Sequence, residues 1–175
     1  KARVQVLAQV GAQGKAEAMR HQLAAMASFG EIDLYSGNSA SLLIDGPATF
    51  AAMFDAIKQA KHTIFLESYI IDDAAISRQL AALLAQRRRH GVQVFVMYDA
   101  IGSLGTQQNF FDELRQAGVA VCAFNPINPA AGQRDGSYFD ITHRDHRKIL
   151  VIDRALGFTG GINISSVYSS GSLGR

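Results

Sequence analysis

Cysteine, proline and tryptophan are scarce in this sequence, which has one, three and none of them among 175 residues. A single cysteine excludes a disulfide framework, and we expect Cys122, in the apolar run 119–124, to be a small core residue. No apolar run approaches the ~20 residues that span a bilayer, and no signal peptide is visible. The chain begins with lysine rather than methionine, so we expect it to be incomplete at its N-terminus.

Net charge is also low. The sequence has 17 basic and 15 acidic residues, a formal charge of +2, which is too small to indicate a polyanionic partner by itself. Hydrophobic residues make up 48% of the chain and charged residues 18%, as in globular proteins. We therefore expect one globular domain with a sizeable core and no nucleic-acid partner.

Helical and strand-like patterns alternate along the middle of the chain. The predicted helices cover residues 47–60, 74–89 and 106–117, and the predicted strands cover 41–44, 63–71, 92–98, 119–124, 148–152 and 156–159. This alternation predicts an α/β fold, a layered α-β-α domain with a mixed, largely parallel sheet. The strand at 92–98 is almost continuously β-branched and aromatic, so we expect it to be covered on both faces.

One motif near the C-terminus combines residue types that suit phosphodiester chemistry. It consists of His146, Lys148, Asp153, Gly160, Gly161 and Asn163, in the pattern H-x-K-x4-D-x6-G-G-x-N. Residues two apart on a strand point the same way, so His146 and Lys148 can meet one phosphate. A neutral imidazole is a nucleophile, and an ammonium group can neutralise the non-bridging oxygens. This chemistry needs no metal.

The other motif residues allow more than one role. Asp153 is seven residues from His146 and faces away from it in a regular strand, so we expect a turn or a buried ion pair. Gly160 and Gly161 remove two side chains where a phosphate could approach the backbone, although a plain hairpin turn would explain them equally well. Asn163 can donate its amide to a phosphate oxygen.

Three polar residues outside the motif are weaker candidates. Glu67 stands inside an apolar strand, where a carboxylate needs a partner, either in a structural ion pair or near the site. Asp99 and Ser103 follow the end of a strand, where sites of α/β proteins lie. The histidines and aspartates of residues 140–146 suit neither one strand face nor a closed zinc set, so we expect no metal site. The arginines of this stretch are either surface charges or contacts for lipid headgroups.

The sequence resembles the first half of a bacterial cardiolipin synthase, in the phospholipase D superfamily with its HxKxxxxD motif. The resemblance rests on the motif and on "HTIFLESYIIDDA" (62–74), "GVQVFVMYDAIGS" (91–103) and "HRDHRKILVIDRALGFTGGINI" (143–164). It covers residues 40–168, the expected catalytic half. Residues 1–39 form an extension with an amphipathic helix at 15–29, and residues 169–175 have the composition of a truncated linker.

The resemblance implies a phosphatidyltransferase that makes cardiolipin from phosphatidylglycerol through a phosphohistidine at His146. Lys148 and Asn163 would hold the phosphate, Asp153 would have a supporting role, and no cofactor would be needed. A lipid substrate places the protein peripherally on the cytoplasmic face of a bacterial membrane.

The chain carries only one such motif, whereas the reaction needs a second group to protonate the leaving oxygen. Either two identical chains share one site about a two-fold axis, or a second half follows in the full-length protein, which the linker composition favours. The family also places an acidic residue downstream to orient the histidine, and none follows Asn163. We therefore expect the isolated chain to be inactive.

Three other functions are compatible with the motif. A phospholipid hydrolase would use the same covalent step with water as the acceptor. A single-motif endonuclease homodimer would need a basic groove, which the low net charge disfavours. A non-catalytic dimerisation or lipid-docking module would have no use for an intact His-Lys pair.

Overall fold

The computed structural model describes residues 37–126 and 143–170, together with His21, Ala24 and Ala25. Those three residues are helical, and the rest of the helix expected at 15–29 lies outside the described residues. The chain divides into two units, Lys1–Leu42 and Leu43–Arg175. The second unit contains all the motif residues.

A five-stranded sheet organises the second unit. Its elements are α1 (Gly46–Gln59), β1 (Thr63–Ser68), α2 (Ala75–Arg89), β2 (Gln93–Asp99), α3 (Gln108–Gln116), β3 (Ala120–Phe124), β4 (Lys148–Ile152), β5 (Leu156–Thr159) and a 3₁₀ turn (Ser166–Tyr168). The strand order is β3-β2-β1-β4-β5. β1, β2 and β3 are parallel, whereas β4 is antiparallel to both β1 and β5. The expected mixed α/β sheet is therefore confirmed.

The start of α1 shows why the strand expected at 41–44 is wrong. Residues 41–44 have no regular structure, and the described sheet has no strand paired with them. Asp45 caps the helix instead, because its side chain accepts a hydrogen bond from the backbone N–H of Ala48 at 3.2 Å. Pro47 follows in the first turn, where its missing N–H costs no helical hydrogen bond.

The three helices pack on one face of the sheet. The core contains alternate residues of the central strands and the apolar stripes of the helices, among them Ile64, Leu66, Val94, Val96, Leu150, Phe50, Leu80 and Phe111. This alternation is what the two-residue period of a strand requires when one face is buried. Within the described residues no helix is long and apolar enough to cross a membrane.

The opposite face, which we call the open face, carries the stacked rings of Phe65 and Phe95 with centroids 4.8 Å apart. Both residues keep more than a third of their surface exposed, 38% and 39%. The expectation that the strand at 92–98 is covered on both faces is therefore wrong, because only its alternate residues are buried. Cys122 is also exposed rather than in the core, since β3 is an edge strand and Cys122 is level with Met97 on the same face.

Candidate active site

The motif residues other than Asp153 lie where the parallel strands end. The carboxyl ends of β1 and β2 lie at the same edge of the sheet, and antiparallel β4 begins at that edge because Lys148 pairs with Ser68. β5 ends there too, since Thr159 pairs with Ile149. We call this edge of the sheet the site edge. Open α/β sheets bind their ligands at such edges.

His146 and Lys148 lie together at the site edge. The Lys148 Nζ is 3.2 Å from the His146 Nδ1 and donates a hydrogen bond to the His146 carbonyl oxygen at 2.7 Å. His146 is exposed and Lys148 half-buried, and burial lowers the pKa of the Lys148 ammonium from its usual value. Because an ammonium only donates, Nδ1 accepts in this contact, and the proton of a neutral ring then lies on Nε2.

Tyr69 is a neighbour of this pair that the sequence did not indicate. Its ring centroid is 4.5 Å from that of the His146 ring, at an interplanar angle of 48°. The Lys148 Nζ lies 5.1 Å from the same tyrosine centroid. The expected strand at 63–71 hid this residue in the sheet, but β1 ends at Ser68 and Tyr69 begins the loop that follows. An aromatic residue directly after a strand that ends at a site was the available signal.

Asn163 lies in this region but is buried, with 4% of its surface exposed. Its Oδ1 accepts a hydrogen bond from the backbone N–H of Ile70 at 3.1 Å, and its Nδ2 donates to the Tyr168 hydroxyl at 3.4 Å. An amide nitrogen has two hydrogens, so one donor remains for a ligand. Asn163 therefore holds the loop after β1 in addition to any contact it makes with substrate.

Gly160 and Gly161 follow the end of β5 at the site edge. A Cβ atom built on either would meet no atom within 4 Å, and neither residue has a left-handed φ. Neither close packing nor backbone strain therefore requires glycine here. The space beside them is open to a ligand.

Asp153 lies at the other end of β4, which we call the far edge. It accepts hydrogen bonds at 2.8 Å from the backbone N–H groups of Lys61, His62 and Thr63, and these bonds lower the pKa of its carboxyl. Asp153 and Arg154 both have positive φ, 52° and 56°, in the tight turn between β4 and β5. The carboxylate thus fastens the start of β1 to this hairpin, a full strand length from His146.

Asp99 joins two segments at the site edge. It is 1% exposed, and its Oδ1 accepts hydrogen bonds from the N–H groups of Ile101 and Gly102 at 2.9 Å. Its Oδ2 accepts from the N–H of Asp145 at 3.0 Å, and the Arg144 guanidinium lies 3.5 Å away. Asp99 therefore fixes both the loop after β2 and the residue before His146.

Ser103 holds the loop that carries Tyr69. Its Oγ donates to the carbonyl oxygen of Tyr69 at 3.3 Å and accepts from the N–H of Ile71 at 3.0 Å. Ser103 is itself buried. It contributes to the position of this loop rather than facing a ligand.

Glu67 points to the open face, on the other side of the sheet from Lys148. Its Oε1 lies 2.7 Å from the Arg147 guanidinium, which also makes two hydrogen bonds of 2.9 Å to Asp145. Burial, with a hydrogen bond and repulsion from Asp145, raises the pKa of Glu67 to about 7. The hydrogen bonds from Arg147 lower that of Asp145, so the proton of this carboxyl pair resides on Glu67.

An exposed imidazole and an adjacent ammonium thus lie at the site edge, with an amide donor and two bare glycines in the loop that follows β5. Such a set can bind a phosphate diester and present a nucleophile to its phosphorus. Among residues 37–126 and 143–170, no group of three or more histidine, cysteine or acidic side chains is placed to hold a metal ion.

Comparison with known proteins identifies the family. A family model described as "Cardiolipin synthase, PLD-like domain" matches residues 53–170, and the chain belongs to this family. Cardiolipin synthase A of Pseudomonas fluorescens SBW25 is 39% identical over 148 residues, which cover 83% of this chain and 29% of that protein. Cardiolipin synthase A of Pseudomonas putida W619 is 38% identical over 152 residues, 86% of this chain and 30% of that one.

Solved structures support the fold. Nuc from Salmonella typhimurium, a phospholipase D family member, is similar with a TM-score of 0.50 and 19% identity, over 70% of this chain and 68% of that one. NucT from Helicobacter pylori has a TM-score of 0.52 and 18% identity, over 68% and 69%. The relatives with 38–39% identity are thus cardiolipin synthases, and the chain spans about three tenths of their length.

Proposed function

We propose that this chain is one catalytic half of a phosphatidyltransferase that makes cardiolipin from two molecules of phosphatidylglycerol. The observation that carries the proposal is the 3.2 Å contact between the imidazole of His146 and the ammonium of Lys148, in a chain 39% identical to a cardiolipin synthase. Residues 40–168 form this half, and residues 1–39 and 169–175 flank it.

In the first step, a ring nitrogen of His146 attacks the phosphorus of one phosphatidylglycerol. The bond from phosphorus to the glycerol headgroup breaks, and a histidine of a second half gives its proton to the departing glycerol oxygen. The phosphatidyl group is then held on His146 as a phosphohistidine. In the second step, the headgroup hydroxyl of another phosphatidylglycerol attacks, loses its proton to the second histidine and releases His146.

Lys148 and Asn163 hold the phosphate throughout. The ammonium neutralises charge on the non-bridging oxygens as it builds up in the transition state, and the remaining amide hydrogen of Asn163 donates to one of them. Gly160 and Gly161 let the phosphate approach the backbone. Asp153, Asp99, Ser103 and Glu67 act through the fold, because their contacts are to backbone and to other side chains.

The isolated half lacks more than a proton donor. With Nδ1 accepting from the Lys148 ammonium, the neutral His146 ring carries its proton on Nε2, which then has no lone pair for attack. An acidic residue bonded to Nδ1 would draw the proton there and free Nε2. Without a second histidine as the acid for the leaving group, and without such an orienting carboxylate, we expect the isolated chain to be inactive.

A bilayer lipid as substrate places the protein at the membrane surface, on the cytoplasmic face, with the site edge turned towards the headgroups. Phosphatidylglycerol is anionic, and the cation of Lys148 suits it. The relatives are cardiolipin synthases, which supports a lipid substrate and hence a position at the membrane surface.

The experiment is to incubate the full-length protein with vesicles of phosphatidylglycerol in the presence of a chelator. We expect cardiolipin and glycerol in equal amounts. Phosphatidic acid in place of cardiolipin would show that water is the acceptor and would overturn the transferase proposal. Cleavage of DNA without lipid turnover would overturn the lipid substrate.

A further inference from the structure

We propose that Tyr69 is a positioning residue for the catalytic pair, and that its ring fixes the orientation of the His146 imidazole. This inference rests on the proposed function, and it assigns a role to a residue outside the motif. The ring is close to both motif side chains, 4.5 Å from the His146 ring and 5.1 Å from the Lys148 Nζ. A tyrosine face attracts a cation, so one ring contacts nucleophile and cation together.

An exposed histidine needs such a support. Lys148 contacts the His146 Nδ1 but does not contact the face of the ring, so the imidazole can still rotate about its side-chain torsions. Among the described residues, Tyr69 is the aromatic side chain recorded against that face. Catalysis by a fixed nucleophile depends on holding it near the attack geometry before the substrate arrives, and an aromatic contact restricts the imidazole without occupying either nitrogen.

The backbone of Tyr69 is held unusually closely. A Cβ atom at Gly102 would lie 2.2 Å from the Tyr69 carbonyl oxygen and 2.9 Å from its ring, so only glycine permits this approach. Ser103 donates to that same carbonyl oxygen. On the other side, Asn163 accepts from the N–H of Ile70 at 3.1 Å.

The loop continues to be held at its next residue. Thr106 Oγ1 donates to the carbonyl oxygen of Ile71 at 2.6 Å, and Ile71 forms an isolated parallel bridge with Ile164. Asp99 fixes the N–H of Gly102 and also that of Asp145, the residue before His146. One buried carboxylate thus sets the distance between the loop that supports Tyr69 and the segment that carries His146.

The variants are Tyr69→Phe, which keeps the ring, and Tyr69→Leu and Tyr69→Met, which remove it while filling the space. Phe65→Leu is the matched control, because Phe65 is a partly exposed ring of the preceding strand β1 that stacks on Phe95 on the open face. All variants are made in the full-length protein, and their melting temperatures are compared. If Tyr69→Leu fails to fold, Tyr69→Met takes its place.

We expect Tyr69→Leu to lower kcat for cardiolipin formation by about 10- to 100-fold, with KM for phosphatidylglycerol within about two-fold because the phosphate ligands are intact. Tyr69→Phe and Phe65→Leu should stay within about three-fold of the unmodified protein. Unchanged kcat in Tyr69→Leu would overturn the proposal. An equal loss of kcat in Tyr69→Phe would also overturn the proposal, because the effect would then come from the hydroxyl group rather than from the ring.

A second readout does not require turnover. Diethyl pyrocarbonate modifies histidine nitrogens, and mass spectrometry gives its rate at His146. We expect several-fold faster modification in Tyr69→Leu and an unchanged rate in Tyr69→Phe, and an equal rate in all variants would contradict the ring contact. If the unmodified protein made no cardiolipin, the proposed function would fail while this rate still tested the role of Tyr69.

Discussion

At the site edge, β4 begins with Lys148, whose ammonium lies against an exposed histidine. At the far edge, the same strand leads into Asp153, whose carboxylate accepts hydrogen bonds from three consecutive backbone N–H groups. One short motif therefore serves two purposes, separated by the length of one strand. The comparison teaches that one motif can contain both site residues and residues that stabilise the fold. Membership of the motif does not by itself make a residue catalytic.

The largest effect that distinguishes the two ends is expected from Lys148→Met. Loss of the cation removes charge neutralisation in the transition state, so we expect kcat to fall by about 100- to 1,000-fold. Stability should stay within about 0.5 kcal/mol, because the contacts of Lys148 are to His146 and to an aromatic face. Steady-state kinetics and urea unfolding of the full-length protein measure both.

Lys61→Met is the control, an exposed cation at the far edge whose backbone N–H alone contacts Asp153. Lys61→Met should change neither kcat nor the free energy of unfolding. A Lys148→Met protein that unfolds at much lower urea concentration would mean that this end of β4 is structural as well, and the contrast between the two ends would be lost.

Asp153→Ala is expected to show the reverse pattern. Three backbone N–H groups lose a charged acceptor, and we expect a loss of about 2–3 kcal/mol in the free energy of unfolding. The turnover of the protein that remains folded should change less than about three-fold, since the carboxylate does not reach the site. Asp153→Asn keeps one acceptor oxygen and tolerates the positive φ, so its loss should be smaller. Near-complete inactivation of stable Asp153→Ala would show that the far edge takes part in the chemistry.

The sequence predicted that His146 and Lys148 lie together, but it did not predict the neighbouring residues that hold them in place. The spacing of His146 and Lys148 placed both side chains together because the two-residue period of extended backbone is a local property. The seven-residue separation likewise placed Asp153 away from them. Tyr69 was hidden because nothing local shows that β1 stops at Ser68, an end set by the contacts of the next loop with Gly102 and Ser103.

The sequence predicted the type of fold correctly but not which residues are exposed. Alternating helices and strands gave the mixed sheet, but Cys122 and the strand at 92–98 were placed wrongly, because an apolar run does not tell which face of a sheet is covered. Glu67 illustrates the same difficulty. Its contact with Arg147 depends on β1 and β4 being neighbours, which is a property of the topology alone.

Gly161→Ala should lower activity less than Lys148→Met does. A methyl group there meets no protein atom within 4 Å, so stability should be unchanged, whereas a phosphate close to the backbone would be displaced and activity would fall about ten-fold. Gly157→Ala is the matched control, because its Cβ position in β5 is equally open. Equal activities in the two variants would assign the glycine pair to the turn rather than to the ligand.

The pH dependence of stability should have opposite signs for Glu67 and Asp153. The pKa of Glu67 is raised to about 7, above its value of about 4.3 in an unfolded chain. Between these values the folded protein holds a proton that the unfolded chain has lost, so stability falls as pH rises. The pKa of Asp153 is lowered, so its contribution is present above about pH 4 and is lost only as pH falls further.

Urea unfolding at intervals from pH 4.5 to 7.5 measures this dependence, and Glu67→Gln should flatten it. Asp145 does not interfere in this range, because its pKa is lowered as well. A curve for Glu67→Gln parallel to that of the unmodified protein would remove Glu67 as the titrating group.

The transfer of phosphatidyl to His146 can be measured directly. The full-length protein is incubated with phosphatidylglycerol that carries radioactive phosphate, denatured at alkaline pH to preserve phosphohistidine, and digested. We expect the label on the peptide that contains residue 146, and none on the protein after His146→Ala. Label of equal intensity on the His146→Ala protein would contradict the assignment of this imidazole as the nucleophile.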